Sequence, residues 1–436
     1  MPLSLDRRAR LLFAALFCPL IAGTALAENW PHWRGPTQNG ISTEKGVPVE
    51  WSRTKNVAWK VKLPGPAGAS PVVWGERVFL TSVDDDKLVL ICISTAGKRL
   101  WQRTVGKGNR RVRGDEGNMA SPSPTTDGKH VWAMFGNGAV GCYDFEGKEV
   151  WKINLQERFG RFSIAFGMSS SPVLWKDRLL LQLIHGKMRR GPELALVAAL
   201  DKSTGKTVWR KRRLTKAYSE NRHSYASPIL YSTPKQDLFI THGADYTIAY
   251  DPKTGDEIWR LGGLNPQGDP EKRYHPTLRF VASPAAAEGL VVIPTAKRYP
   301  VFAIRADGKG DVTGNKAVHV WTYPNNTPDV PSPLIHGGLV YLCRENGNLM
   351  CLDAKTGKLL YERRTNRIRH RASPVYADGK IYLTGRDGKV TVVRAGRTFK
   401  ILAQNVIGDD VSASPAISNG TIYLRSFGAL WAIRDK

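Results

Sequence analysis

The chain has 436 residues, with 64 Lys and Arg against 38 Asp and Glu, a formal net charge of +26. An excess of that size points to an acidic partner or surface. After the first 27 residues no stretch is apolar and long enough to span a membrane, since a span needs about 20 residues.

Residues 1–27 read as a secretory signal peptide. Arg7, Arg8 and Arg10 form a basic start, Leu11 to Ala22 is mainly apolar, and Ala25-Leu26-Ala27 is a small-residue cleavage site. Phe17 is bulky where a lipid-attachment motif around Cys18 would need a small residue, so soluble export to the periplasm or cell envelope is the expectation. Export makes nucleic acid an unsuitable partner.

Residues 28–54 form an N-terminal arm. Trp30-Pro31-His32-Trp33-Arg34-Gly35-Pro36 holds two Trp, two Pro and a Gly, and cannot be a helix. It is expected to extend and dock its aromatics on the rest of the protein.

From residue 55 onward the chain repeats. Ala199-Leu200-Asp201-Lys202-Ser203-Thr204-Gly205-Lys206-Thr207-Val208-Trp209 is echoed at Ala249 to Trp259 and at Cys351 to Tyr361, with shorter versions at Cys92 to Trp101 and Cys142 to Trp151. In each, an apolar strand runs into a turn capped by Asp and closed by Gly, then into a strand carrying an aromatic anchor. Ser-Pro precedes each unit, at Ser70, Ser121, Ser171, Ser227, Ser283, Ser332, Ser373 and Ser414, with steps of 51, 50, 56, 56, 49, 41 and 41 residues. Proline at the head of a strand loses no ladder hydrogen bond. Four short strands per 40 to 56 residues is the pattern of a propeller blade. The expected fold is therefore all-β: an eight-bladed β-propeller of four-stranded antiparallel blades over residues 55–436. The last blade lacks an outer strand, and Val57 to Lys62 is a strand without a blade, so the N-terminal strand should close the ring against Leu430 to Ile433 and leave a monomeric ring.

Four cysteines follow the cleavage site. Two residues before each turn-capping position stands a small residue: Cys92, Cys142, Ala199, Ala249, Ala303, Cys351, Val392 and Ala432. Three of the four cysteines thus occupy one packed column, and Cys92 and Cys142 should be buried free thiols. Cys343 and Cys351 form the one pair whose register could allow a bridge. The nine histidines and four cysteines show no metal-ligand spacing, and there is no nucleophile elbow. No catalytic or metal residue is assigned.

The phrase small-Leu-Asp-x-x-Thr-Gly-x-x-x-Trp, best seen from Leu200 to Trp209 and Tyr250 to Trp259, resembles the repeat of pyrroloquinoline-quinone (PQQ) propellers. One branch of that family, the quinoprotein alcohol and glucose dehydrogenases, implies a quinone and a calcium ion in the funnel. Their adjacent-cysteine disulfide has no counterpart here, and their calcium ligands and catalytic Asp match no residue. A second branch, the BamB-type outer-membrane assembly proteins, implies a cofactor-free binding role. The Trp-Pro-x-Trp-Arg-Gly-Pro arm resembles secreted planctomycete-type PQQ-like repeat proteins.

Basic residues concentrate between each anchor aromatic and the next Ser-Pro. Segments 102–120, 152–170, 210–226, 260–282, 322–331 and 362–372 hold 23 Lys and Arg against 8 Asp and Glu, more than half of the net charge in under a quarter of the chain. The candidate binding face is Arg110, Arg111, Arg113, Arg212, Arg213, Arg369 and Arg371 from these loops, with Lys187, Arg189 and Arg190 from a loop between second and third strands. The expected function is an exported non-catalytic scaffold that presents these loops to an acidic envelope protein or polymer, with no cofactor. Alternatives are a PQQ- and calcium-dependent oxidoreductase of alcohols or sugars, and an acidic-polysaccharide binder.

Overall fold

The computed structural model describes residues 28–435 except 113, 115, 116, 189–193 and 266–273. The signal-peptide assignment, Arg113, Arg189 and Arg190 therefore lie outside the described residues. Eight sheets follow one another around an axis, seven of four strands and one, in blade four, extended to five by the short parallel strand Gly310–Asp311. Their innermost strands, numbered here as blades one to eight, are Val72–Trp74, Thr125–Thr126, Val173–Trp175, Ile229–Ser232, Ala285–Ala287, Leu334–His336, Val375–Ala377 and Ala416–Ser418. Second and third strands are sandwiched between neighbouring blades and are apolar on both faces. In blade one, Arg77–Asp84 and Lys87–Ser94 bury every residue but their ends.

The ring closes as the strand inventory requires. Val57–Lys62 pairs antiparallel with the third strand of blade eight, Trp59 opposite Ala432 and Val61 opposite Leu430. Arg425, fully buried at the end of the second strand of blade eight, spans the seam and donates to the Thr81 carbonyl of blade one.

The small-residue column lies where the repeat puts it. Seven of its eight members pair across to an aromatic anchor: Cys92 with Trp101, Cys142 with Trp151, Ala199 with Trp209, Ala249 with Trp259, Ala303 with Trp321, Cys351 with Tyr361 and Ala432 with Trp59, while Val392 faces Ala403. The anchor then packs under the Gly of the next blade's turn. A Cβ on Gly205 would sit 2.8 Å from the Trp151 ring, and its φ of +68° already favours glycine. Trp151 Nε1 donates to the Lys202 carbonyl of that same turn. One turn thus fixes hairpin and blade-to-blade spacing together.

All four described cysteines are free and buried. Cys343 faces Leu349 across the ladder and Cys351 faces Tyr341, so the two thiols are diagonal neighbours. Diagonal Cβ atoms lie roughly 7 Å apart, too far for a bridge.

One marker needs correction. Blade two is opened by Ser123-Pro124, not Ser121-Pro122. The backbone N–H of Ser70 donates to Ser123 Oγ, Ser123 to Ser171, Ser171 to Ser227, Ser227 to Ser283, Ser283 to Ser332, Ser332 to Ser373, Ser373 to Ser414, and Ser414 back to Ser70, at 2.9–3.0 Å throughout. The tandem Ser-Pro-Ser-Pro sequence offers two candidates, and only the closed ring selects between them. Ser121 Oγ instead donates to the Asn118 carbonyl.

Candidate functional site

The arm determines which end of the central channel is accessible. Trp30 exchanges backbone hydrogen bonds of 2.8 Å with Val73 of blade one. Thr126 of blade two donates to the Pro31 carbonyl, and Leu230 of blade four donates to Gln38 Oε1. Gly40 and Ser42 pair with Tyr376 of blade seven, and Glu44 accepts from Asn419 and Gly420 of blade eight. The arm therefore crosses the axis, and on its way out it caps turns between first and second strands. That is the face opposite the inter-blade loops.

Arg34 anchors the crossing. It is 1% exposed, and its guanidinium donates to the carbonyls of Asn39, Pro333 and Pro374, the last two directly after ring serines of blades six and seven. Burial pushes its pKa down to about 9. Beside it His32 Nδ1 lies 2.6 Å from Thr125 Oγ1, and burial lowers that imidazole to about 4, so it is neutral.

Above the arm the axis opens into a cavity of about 390 Å³ toward the loop face. Its wall contains all eight ring serines, with Trp33 contributed by the arm and Phe166 and Tyr225 by inter-blade loops. Among the described residues, the charged ones in the wall are Arg279, Lys297, Arg371 and Asp329. Arg279 is held between Glu220 at 3.2 Å and Asp329 at 3.8 Å. Lys297 donates to Thr277 Oγ1 at 2.9 Å. Seven of the eight ring serines were legible from the sequence, but Arg279, Lys297 and Asp329 were not, because each stands alone in a loop with no repeated pattern around it.

The predicted basic face divides in three. Arg110, Arg111, Lys187, Arg212 and Arg369 are exposed on or beside loops that antiparallel topology sends to one face. Arg371 belongs to the cavity wall. Arg213 is a correction: it is 1% exposed, and its guanidinium bonds Thr241 Oγ1 and the Tyr246 carbonyl of blade four. It follows the last residue of an outer strand whose side chains alternate, so Arg212 points out and Arg213 points in. The same face exposes apolar side chains. Met188, Leu214, Tyr218 and Ile368 are 42–51% accessible, and Tyr218 stacks on Tyr274 at 4.3 Å.

The donor set of the cavity does not fit a quinone–calcium pair. Calcium takes about six to eight oxygen ligands, usually with several carboxylates. Among the described residues Asp329 is the one carboxylate in the wall, and it already faces Arg279. The described cysteines sit inside blades, far from any stacking position over the axis.

Comparison with known proteins places these features in context. The family described as outer membrane protein assembly factor BamB matches residues 40–185 and 194–436. BamB of Salmonella typhimurium is 24% identical over 330 residues, 74% of each chain. The crystal structure of BamB from Moraxella catarrhalis superposes with a TM-score of 0.61 at 13% identity, covering 87% of this chain and 97% of that one. The quinohemoprotein alcohol dehydrogenase of Comamonas testosteroni superposes with a TM-score of 0.62 at 12% identity, covering 94% of this chain and 81% of that one, a likeness of fold. By the extent of the family match, joined to eight blades closed by an N-terminal strand, the chain belongs to the BamB family of PQQ-repeat propellers.

Proposed function

We propose that this protein is an envelope scaffold that holds an acidic partner protein against its inter-blade loop face. The observation that carries the reading is the asymmetry of the two ends. One end is capped by the arm through backbone pairing. The other presents Arg110, Arg111, Lys187, Arg212 and Arg369 interspersed with exposed Met188, Leu214, Tyr218 and Ile368. Cations with scattered apolar side chains are what a protein interface displays, where apolar contacts supply affinity and charge supplies steering. A purely electrostatic wall-polymer site would not need the apolar residues. Family membership supports an assembly role in the cell envelope, and the signal peptide expected over residues 1–27 agrees with that reading.

The test is capture from an envelope extract across a salt series. Affinity should fall steeply with ionic strength, because charges more than about 8 Å apart are screened at physiological salt. Arg110→Glu with Arg111→Glu should lose the captured protein, while Met188→Ser should weaken it without changing the salt slope. Capture that is indifferent to both salt and the arginine variants overturns the proposal.

A further inference from the structure

We infer that the outer strand of blade seven is a docking edge for a second copy of this chain, paired antiparallel about a twofold axis. The strand is Ile401–Val406, the last of its sheet, and among the described residues no backbone group on its outer side has a partner. Its sequence, Ile-Leu-Ala-Gln-Asn-Val, holds no charged residue, Pro or Gly. Six of the other seven outer strands carry Lys, Arg or Glu, and the remaining one, His319–Tyr323, carries a histidine and no large exposed apolar side chain. Among these strands that of blade seven alone exposes two large apolar side chains, Ile401 at 38% and Val406 at 42%.

Charged side chains, Pro or a covering segment keep an open sheet edge from pairing. The chain covers two of its edges by adding a strand, Val57–Lys62 to blade eight and Gly310–Asp311 to blade four. At blade seven the arm packs on a face and leaves the edge open. Trp51 stacks on Tyr382, and its backbone N–H donates to Asn405 Oδ1 at 2.9 Å. An open edge of this kind accepts an extended strand through main-chain hydrogen bonds. The ends of Ile401–Val406 select which strand. Exposed Lys400 precedes it, and Asp409 and Asp410 follow it. An antiparallel copy brings the basic end of each strand to the acidic end of the other, whereas a parallel copy sets like charges side by side. The edge is thus complementary to itself, as a closed twofold contact requires. A six-residue strand is about 20 Å long, so the contact is smaller than the roughly 1,200–2,000 Å² of a standard interface. The dimer is accordingly weak, forming at about micromolar to millimolar concentration.

The experiment is sedimentation equilibrium of the full chain over a concentration series. The weight-average mass should rise toward twice that of the chain and no further. Ile401→Lys with Val406→Lys puts charge on the edge at two exposed positions. It should weaken association at least tenfold with little change in melting temperature. Lys400→Glu and Asp409→Lys should each weaken self-association a few-fold. Mixing these two variant chains should restore the parental level, because their mixed dimer regains both opposite-charge pairs. The Asp409 carboxylate also accepts from the Gly428 N–H, so if Asp409→Lys folds poorly the double-lysine variant still decides. A mass that stays that of one chain, grows beyond two, or ignores the double-lysine variant overturns the inference. Mixing that fails to restore association between two folded variants overturns the antiparallel pairing. Partner capture is read on the loop face, so the scaffold proposal can fail while this one stands.

Discussion

The two ends of the propeller use arginine in opposite ways. On the arm side, Arg34 is enclosed and spends its donors on three backbone carbonyls. On the loop side, Arg110 and Arg111 are exposed. A buried guanidinium that satisfies carbonyls is a structural part, because removing it strands acceptors that water cannot reach. An exposed one contributes little to stability and is available to a partner. The difference between the ends is thus one of desolvation rather than of residue type, and it separates what holds the ring together from what the ring can offer.

The largest expected effect comes from the closed end. Deleting residues 28–62 removes the arm and the outer strand of blade eight, leaving an unpaired sheet edge beside an open channel. Calorimetry should show the main cooperative transition lost, with aggregation. A protein that melts near the parent temperature would break the comparison.

Next is Arg34→Ala, which should cost about 3–5 kcal/mol by denaturant midpoint. A cost below about 1 kcal/mol would mean that the carbonyls of Pro333 and Pro374 find other donors.

The third effect depends on pH. His32 is neutral in the fold, with its pKa lowered to about 4 from the usual 6.5 by burial. Its contribution is full above pH 6.5 and is lost as pH falls toward 4, because the unfolded chain binds the proton first. The loss approaches roughly 3 kcal/mol. His32→Gln should flatten the stability–pH curve between 4 and 6.5. Asp245 on the loop side works in the other direction. Burial raises it to about 6 despite the Tyr274 hydroxyl at 2.7 Å, so its protonation below pH 6 favours the fold. Asp245→Asn should deepen the acid loss that His32 causes.

The smallest expected effect on stability is at the open end. Arg110→Glu with Arg111→Glu should shift stability by less than about 0.5 kcal/mol while partner capture falls. A large loss of stability would show that these arginines are structural too.

The sequence by itself determined the repeat, the number of blades, the closing strand and the packed column of Cys92, Cys142 and Cys351. Those features rest on local rules: strand alternation, a turn that needs Asp and Gly, and an anchor aromatic a fixed distance beyond. Tertiary structure decided what depends on convergence around the axis. It selected Ser123 over Ser121, because a ring hydrogen bond exists only between blades. It turned Arg213 inward and left Arg212 outside, because burial depends on which way an outer strand faces at its last residue. It also gathered Arg279, Lys297, Asp329 and Arg371, which come from three different inter-blade loops and one loop between second and third strands, into one wall. No local pattern records that proximity, since eightfold closure brings together residues that lie dozens of positions apart in the chain.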